Sequence, residues 1–224
     1  MAAALVDGPT DGIAMITLNR ADKRNALSMA MRDEIVGALE LLAADEAAKV
    51  VIVTGVGDVF SAGFDLKEFE ALAAGELDAG AFWNSSERWH RAWLEFPLPV
   101  IAALNGPALA GGFDLAVMCD LRIAAESVRF AHPEHTFSDV VYTPLLDLVG
   151  SAIAKELVLT GRDVDADDAL RLHLVSAVVP REALVAEARR YASMIAEAPR
   201  EVLVRTKEKA NRRAATVIDG RLDV

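Results

Sequence analysis

The chain has 224 residues, 53% hydrophobic and 25% charged, enough for one well-buried core, or a core with an appended helical piece, and too apolar for intrinsic disorder. A formal net charge of −11 argues against a nucleic-acid surface. The apolar runs break before membrane-spanning length and no charged leader precedes an apolar segment, so a cytoplasmic protein without a membrane partner is expected.

In chain order, Asp7-Gly8-Pro9 and Asp11-Gly12 predict turns ahead of a strand over Ile13–Leu18. Asn19 to Asn25 is then a loop. Its Lys23-Arg24 pair is either a solvated charge pair or a group that reaches a phosphate. Ser28 is placed to cap a helix through Ala43, whose stripe of Met31, Ile35, Leu39 and Leu42 marks a core face. Val50 to Thr54 is a continuous β-branched strand followed by Gly55-Val56-Gly57-Asp58, a small-residue turn at Ser61-Ala62-Gly63, and a helix led by Asp65. From Leu66 to Phe96 the pattern is mixed and broken by Gly75 and Gly80. Trp89, Trp93 and Phe96 recur there at helical spacing, as core or as the lining of an apolar pocket.

The same order of elements returns downstream. The apolar run Leu98 to Leu104 enters Asn105-Gly106-Pro107, then Gly111-Gly112, then an apolar helix carrying Asp114. Unpaired N–H groups at such a helix start attract an anion, or a negative charge that develops during a reaction, although a glycine pair also serves close packing of helix on strand. Two such starts could offer one N–H each to a single oxygen. Cys119, the sole cysteine, excludes an internal disulfide or a cysteine-rich metal cage and reads as a buried core thiol. Leu121 to Ala125 and Val128 to Phe130 are two short strands before Ala131-His132-Pro133-Glu134-His135, where two histidines three apart give only a weak metal motif. Ser151 opens a helix with Ile153, Leu157 and Val158 inward and Gly161 at its end. Asp165 to Leu172 is a short helix, and Leu174 to Val179 a strand stopped by Pro180. Arg181 to Glu197 is an amphipathic helix through Leu184, Ala188, Tyr191 and Ile195, and the helix after Pro199 carries Arg205, Lys207, Lys209, Arg212 and Arg213, either as a solvated face or toward a phosphate.

The stretches VIVTGVGDVFSAGFDL and PVIAALNGPALAGGFDLAVMCDLRIAAE, with Asn19-Arg20 and Asn25-Ala26-Leu27, resemble the enoyl-CoA hydratase/isomerase, or crotonase, family over roughly Ile13 to Ala215. The resemblance implies an α/β fold, a crotonase-like spiral of ββα units over residues 1–180, with a helical C-terminal portion over 181–224 that supports a homotrimer or homohexamer; the apolar helix around Tyr191 and Ile195 is expected to need a neighbouring subunit. It implies an acyl-CoA substrate, with coenzyme A part of the substrate and no separate cofactor or metal. Phe64 and Gly111 would give backbone N–H groups to the thioester oxygen, Glu134 and Asp114 would be the carboxylates, and Lys23, Arg24, Ala26, Ala62, Gly63, Asp65 and Leu66 would lie along coenzyme A. Two departures stand out: Asp114 stands where hydratases carry glutamate, and Thr136 to Pro144 replaces a glycine-rich stretch and is shorter, so one wall of the site must differ. The tail after Thr216 is also short.

Three functions follow from the resemblance. Hydration of a 2-enoyl-CoA would use Asp114 and Glu134 on water; double-bond isomerisation would use Glu134 with Asp139; an acyl-CoA-binding protein would have lost turnover. A serine hydrolase would need a Gly-x-Ser-x-Gly elbow and a dinucleotide oxidoreductase a Gly-x-Gly-x-x-Gly turn, and neither is present.

Overall fold

The computed structural model describes residues 2–140 and 143–214, the last three by backbone alone. Val141 and Tyr142 of the divergent segment, the side chains of Arg212 and Arg213, and the tail after Thr216 lie outside the described residues. β1 (Ala4–Thr10) and β2 (Ile13–Leu18) form an antiparallel hairpin whose turn residues Asp11 and Gly12 have φ of 51° and 82°, as a tight hairpin turn requires. Asp7-Gly8-Pro9, expected as a turn, is instead part of β1. The pairing moves from Asp7 opposite Met15 to Thr10 opposite Ile13, so one extra residue bulges from this edge strand, and Pro9 sits where no ladder N–H is needed.

β3 (Val50–Gly55), β4 (Val100–Leu104), β6 (Leu121–Ala125) and β9 (Ala177–Val179) extend the hairpin as parallel strands, giving the order β1-β2-β3-β4-β6-β9. Parallel strands buried on both faces read as unbroken apolar runs. Here Val51 and Val53, with Val100, Ala102 and Leu104, face one core cluster, while Val50 and Ile52, with Ile101 and Ala103, face the other. A second, three-stranded sheet joins β5 (Ala108–Leu109), β7 (Arg129–Ala131) and β8 (Val164–Asp165). β4 and β6 each enter the large sheet, and the strands that follow them, β5 and β7, pair in the small one. The strand-pair-then-helix order downstream is thus a chain that visits both sheets before α4 and again before α5.

The helices are α1 (Met29–Ala44), α2 (Leu66–Ala73), α3 (Ala79–Leu94), α4 (Gly111–Met118), α5 (Thr143–Val149), α6 (Ser151–Thr160), α7 (Ala166–Arg171), α8 (Leu184–Ala196) and α9 (Arg200–Ala214). Ser28 caps α1 by accepting from the Met31 N–H, and Met31, Ile35, Leu39 and Leu42 are buried. α3 packs on α1 with Trp89 and Trp93 buried in a T-shaped pair 5.5 Å apart, which makes them core, whereas Trp83 is exposed. The apolar face of α8 does not await a neighbouring subunit: Leu184, Ala188 and Ala192, flanked by Tyr191 and Ile195, pack on the large sheet. That face covers the sheet side opposite α1 and α3, and without it Ile52 and Ile101 would meet water.

Candidate active site

Two glycine turns are laced together at the junction of the sheets. Ser61 bridges to Ala108, the Leu109 N–H donates to the Ser61 carbonyl at 2.9 Å, and the Phe60 N–H donates to the Pro107 carbonyl at 3.0 Å. Gly63 has φ of 86°, and a Cβ there would lie 2.8 Å from Ala110 Cβ and 2.9 Å from Gly111 N, so only glycine permits this approach. The Phe64 amide nitrogen sits 3.5 Å from where a Cβ of Gly111 would be. The first helical bonds of α4 are made by the Phe113 and Asp114 N–H groups, both to Ala110. Gly111 precedes them, at the positive end of the helix. Phe64 and Gly111 are thereby neighbours at two helix starts, the arrangement that can hold one oxyanion. Arg32 lies over the Phe64 ring at 4.2 Å and fixes it from behind.

The carboxylates converge on the same helix start. Asp114, three residues into α4, is 6% exposed. Burial first, then the charge of Glu134, pushes its pKa well above the ordinary carboxylate range. Glu134 stands in a 3-10 turn, Pro133–Thr136, directly after β7. Between the two is His132, 1% exposed, with Nδ1 2.9 Å from Glu134 Oε1 and Nε2 4.0 Å from Asp114 Oδ1. Asp139 is exposed.

The coenzyme candidates also gather. The Ala62 N–H donates to the Arg24 carbonyl at 3.0 Å and the Leu27 N–H to the Gly63 carbonyl at 2.8 Å, so the Lys23–Arg24–Ala26 loop runs beside the 62–66 turn, with Lys23, Arg24 and Leu66 exposed. The Asp65 side chain is already engaged: it caps α2 through the Lys67 N–H and pairs with Arg20 at 3.0 Å. Of the C-terminal basic group, Arg205 and Lys209 are exposed, but Lys207 is buried, its Nζ 2.7 Å from Asp120 and 2.9 Å from the Leu98 carbonyl. Lys207 therefore anchors α9 to the entry of β4 rather than facing a phosphate.

Four side chains support the site without a sequence signal that gives them this role. Asn25 and Asn105 hold the Gly55–Val59 loop through carbonyls of Val56, Gly57 and Val59 and the Gly55 N–H. Arg32 lies within the apolar stripe of α1, and a charge inside such a stripe was its signal. The sequence offers His132 only as half of a weak metal motif; its two-residue spacing from Glu134 is the clue to the contact.

The chain is similar to known proteins over most of its length. Residues 8–221 match the family model described as Enoyl-CoA hydratase/isomerase. A probable enoyl-CoA hydratase of Mycobacterium leprae is 37% identical over 212 residues, 93% of this chain and 80% of that protein. The mitochondrial enoyl-CoA hydratase of Pongo abelii is 35% identical over 208 residues, 91% of this chain and 70% of its own length. A crystal structure of an enoyl-CoA hydratase/isomerase from Xanthobacter autotrophicus Py2 superposes with a TM-score of 0.86 at 37% identity, covering 94% of this chain and 79% of that one.

Proposed function

Because the chain belongs to the enoyl-CoA hydratase/isomerase family, we propose that it adds water across the double bond of a 2-enoyl-CoA in fatty-acid metabolism. The observation that carries this is the meeting of Asp114 and Glu134 at the start of α4, the helix whose first residue lies against Phe64. The thioester oxygen would accept from the Phe64 and Gly111 N–H groups, which draws electron density from the distal alkene carbon. Glu134 takes a proton from water as its oxygen bonds that carbon, and charge collects on the thioester oxygen where the two donors hold it. A carboxyl group then protonates the carbon next to the thioester. Burial raises the Asp114 pKa and so favours its acid form, which suits it to give the proton while Glu134 takes one.

Lys23, Arg24, Ala26, Ala62, Gly63, Asp65 and Leu66 are assigned to the coenzyme side, with no separate cofactor. A second reaction, double-bond migration on the same enolate by Glu134 alone, is favoured by the aspartate at 114: one methylene fewer than glutamate withdraws the carboxylate by about 1.5 Å, and about 1 Å can cost on the order of a hundredfold in rate.

The test is a panel of enoyl-CoA esters followed by loss of the conjugated thioester absorbance, with products identified. Glu134→Gln is expected to lower kcat by about 10²–10⁴-fold, with thioester binding retained in calorimetry, and Asp114→Asn by less. Full turnover in Glu134→Gln with none in Asp114→Asn would reverse the roles, and a wild type that binds acyl-CoA without turning it over would make the protein a binder. We also infer a cytoplasmic homotrimer or homohexamer; light scattering at micromolar concentration that returns a monomer removes the assembly.

A further inference from the structure

His132 is a buried imidazole held between two carboxyl groups, with its ring stacked on Phe113 at 4.6 Å and 23°. Its Nδ1 is 2.9 Å from Glu134 Oε1, and its Nε2 faces Asp114 Oδ1 at 4.0 Å. Among the described residues, the atoms at this line's remaining ends, Nε2, Asp114 Oδ1 and Glu134 Oε2, have no hydrogen-bond partner. Buried polar atoms are costly unless paired, so three of them around one ring mark a place built for mobile protons rather than for packing. The titratable groups facing the ring are Asp114 from α4 and Glu134 from the turn after β7. His135 in that turn reaches the His132 backbone carbonyl at 2.9 Å, not the ring.

We propose that His132 is the proton link between Asp114 and Glu134, a positioning residue that acts through both carboxyl groups. With Glu134 as the base, the hydrogen in the 2.9 Å contact is on Nδ1, and Nε2 is left to face Asp114 Oδ1. In the transfer the Asp114 O–H bond breaks as an Nε2–H bond forms, and the Nδ1–H bond breaks as Glu134 Oε1–H forms. Asp114 ends as the carboxylate, Glu134 as the acid, and the imidazole as its other neutral tautomer, with total charge unchanged. The 4.0 Å gap closes to about 2.8 Å by rotation of the Asp114 carboxyl, or is bridged by one water. Run before water attacks, the transfer sets which carboxyl is the base and which the acid. It rests on the roles proposed above for these carboxylates.

The test has a spectroscopic and a kinetic arm. In ¹⁵N-histidine spectra of the wild type, His132 is expected as the Nδ1–H tautomer, with both ring nitrogens shifting in Glu134→Gln and in Asp114→Asn. An Nε2–H tautomer, or shifts that ignore both variants, overturns the link. His132→Gln keeps an N–H for Glu134 but cannot pass a proton. Its kcat should fall on the order of tenfold to a hundredfold, with KM within about twofold and the pH profile of kcat/KM displaced. Wild-type kcat with an unmoved profile overturns the proposal. Should His132→Gln not fold, the wild-type spectra decide. If the wild type hydrates no enoyl-CoA, the hydration reaction fails, and the tautomer measurement still judges the link separately.

Discussion

Asp114 is where burial and ionisation oppose each other. Its carboxyl is buried and next to Glu134, and its pKa is raised well above the ordinary range, so the folded chain holds a proton that the unfolded chain releases at about pH 4. The sign follows from proton counts. Above about pH 4 the folded state binds more protons than the unfolded one, so this group's contribution falls as pH rises from there through the folded pKa. Asp114→Asn removes that penalty: relative to the wild type, the variant should gain stability toward pH 8 and lose the advantage near pH 4. Urea midpoints across that range check it, and a gap that widens toward acid would contradict the burial argument. The residue at 114 was legible in the sequence, as was Glu134. The raised pKa was not, because it depends on burial and on Glu134 and His132, which reach Asp114 only in three dimensions.

At the scale of elements, the site is two strand-to-helix turns that meet. Gly63 is a point of close approach, with Ala110 Cβ, Gly111 N and Leu109 O all within 2.9 Å of a Cβ placed there. Gly63→Ala should therefore separate Phe64 from Gly111, lowering kcat on the order of a hundredfold and stability by about 1–3 kcal/mol through strain at positive φ. Turnover assays and denaturant midpoints together check this; unchanged kcat would mean that the two amides do not act as a pair. Both glycine turns were visible as a repeated pattern. Their contact was not, because it depends on Ser61 pairing with Ala108 across 47 positions of sequence, which no local propensity encodes. The hairpin shows the converse error: Gly8-Pro9 has turn chemistry, yet β2 recruits it into an edge strand, where a bulge accommodates the proline.

For the molecule as a whole, burial on both faces of one sheet holds the fold together, and α8 is part of that core rather than an appendage. Cys119 reports on the opposite face: it is 3% exposed, its thiol donates to the Leu115 carbonyl at 3.2 Å, and burial pushes its pKa up to about 12. A thiol reagent should leave the native protein unmodified near pH 8 and label it stoichiometrically in denaturant, with labelling tracking global unfolding. Rapid labelling of the native chain would show that the C-terminal end of α4 opens locally.

What the sequence by itself determined is what local rules encode. The β-branched run Val50 to Thr54 had to be an inner strand, Ser28 had to begin a helix, and the two glycine turns repeated one strand-to-helix pattern. Only the tertiary structure decided which charges are free and which are engaged. Lys207 looked like its basic neighbours on α9 until Asp120, 87 residues away, was placed beside it, and Tyr191 and Ile195 asked for a partner that the chain's own sheet supplies. His132 stood among ordinary loop residues until α4 brought Asp114 to its far nitrogen. Propensity and periodicity act over a few residues, whereas burial and ion pairing depend on distances through space, and those exist only once the chain has folded.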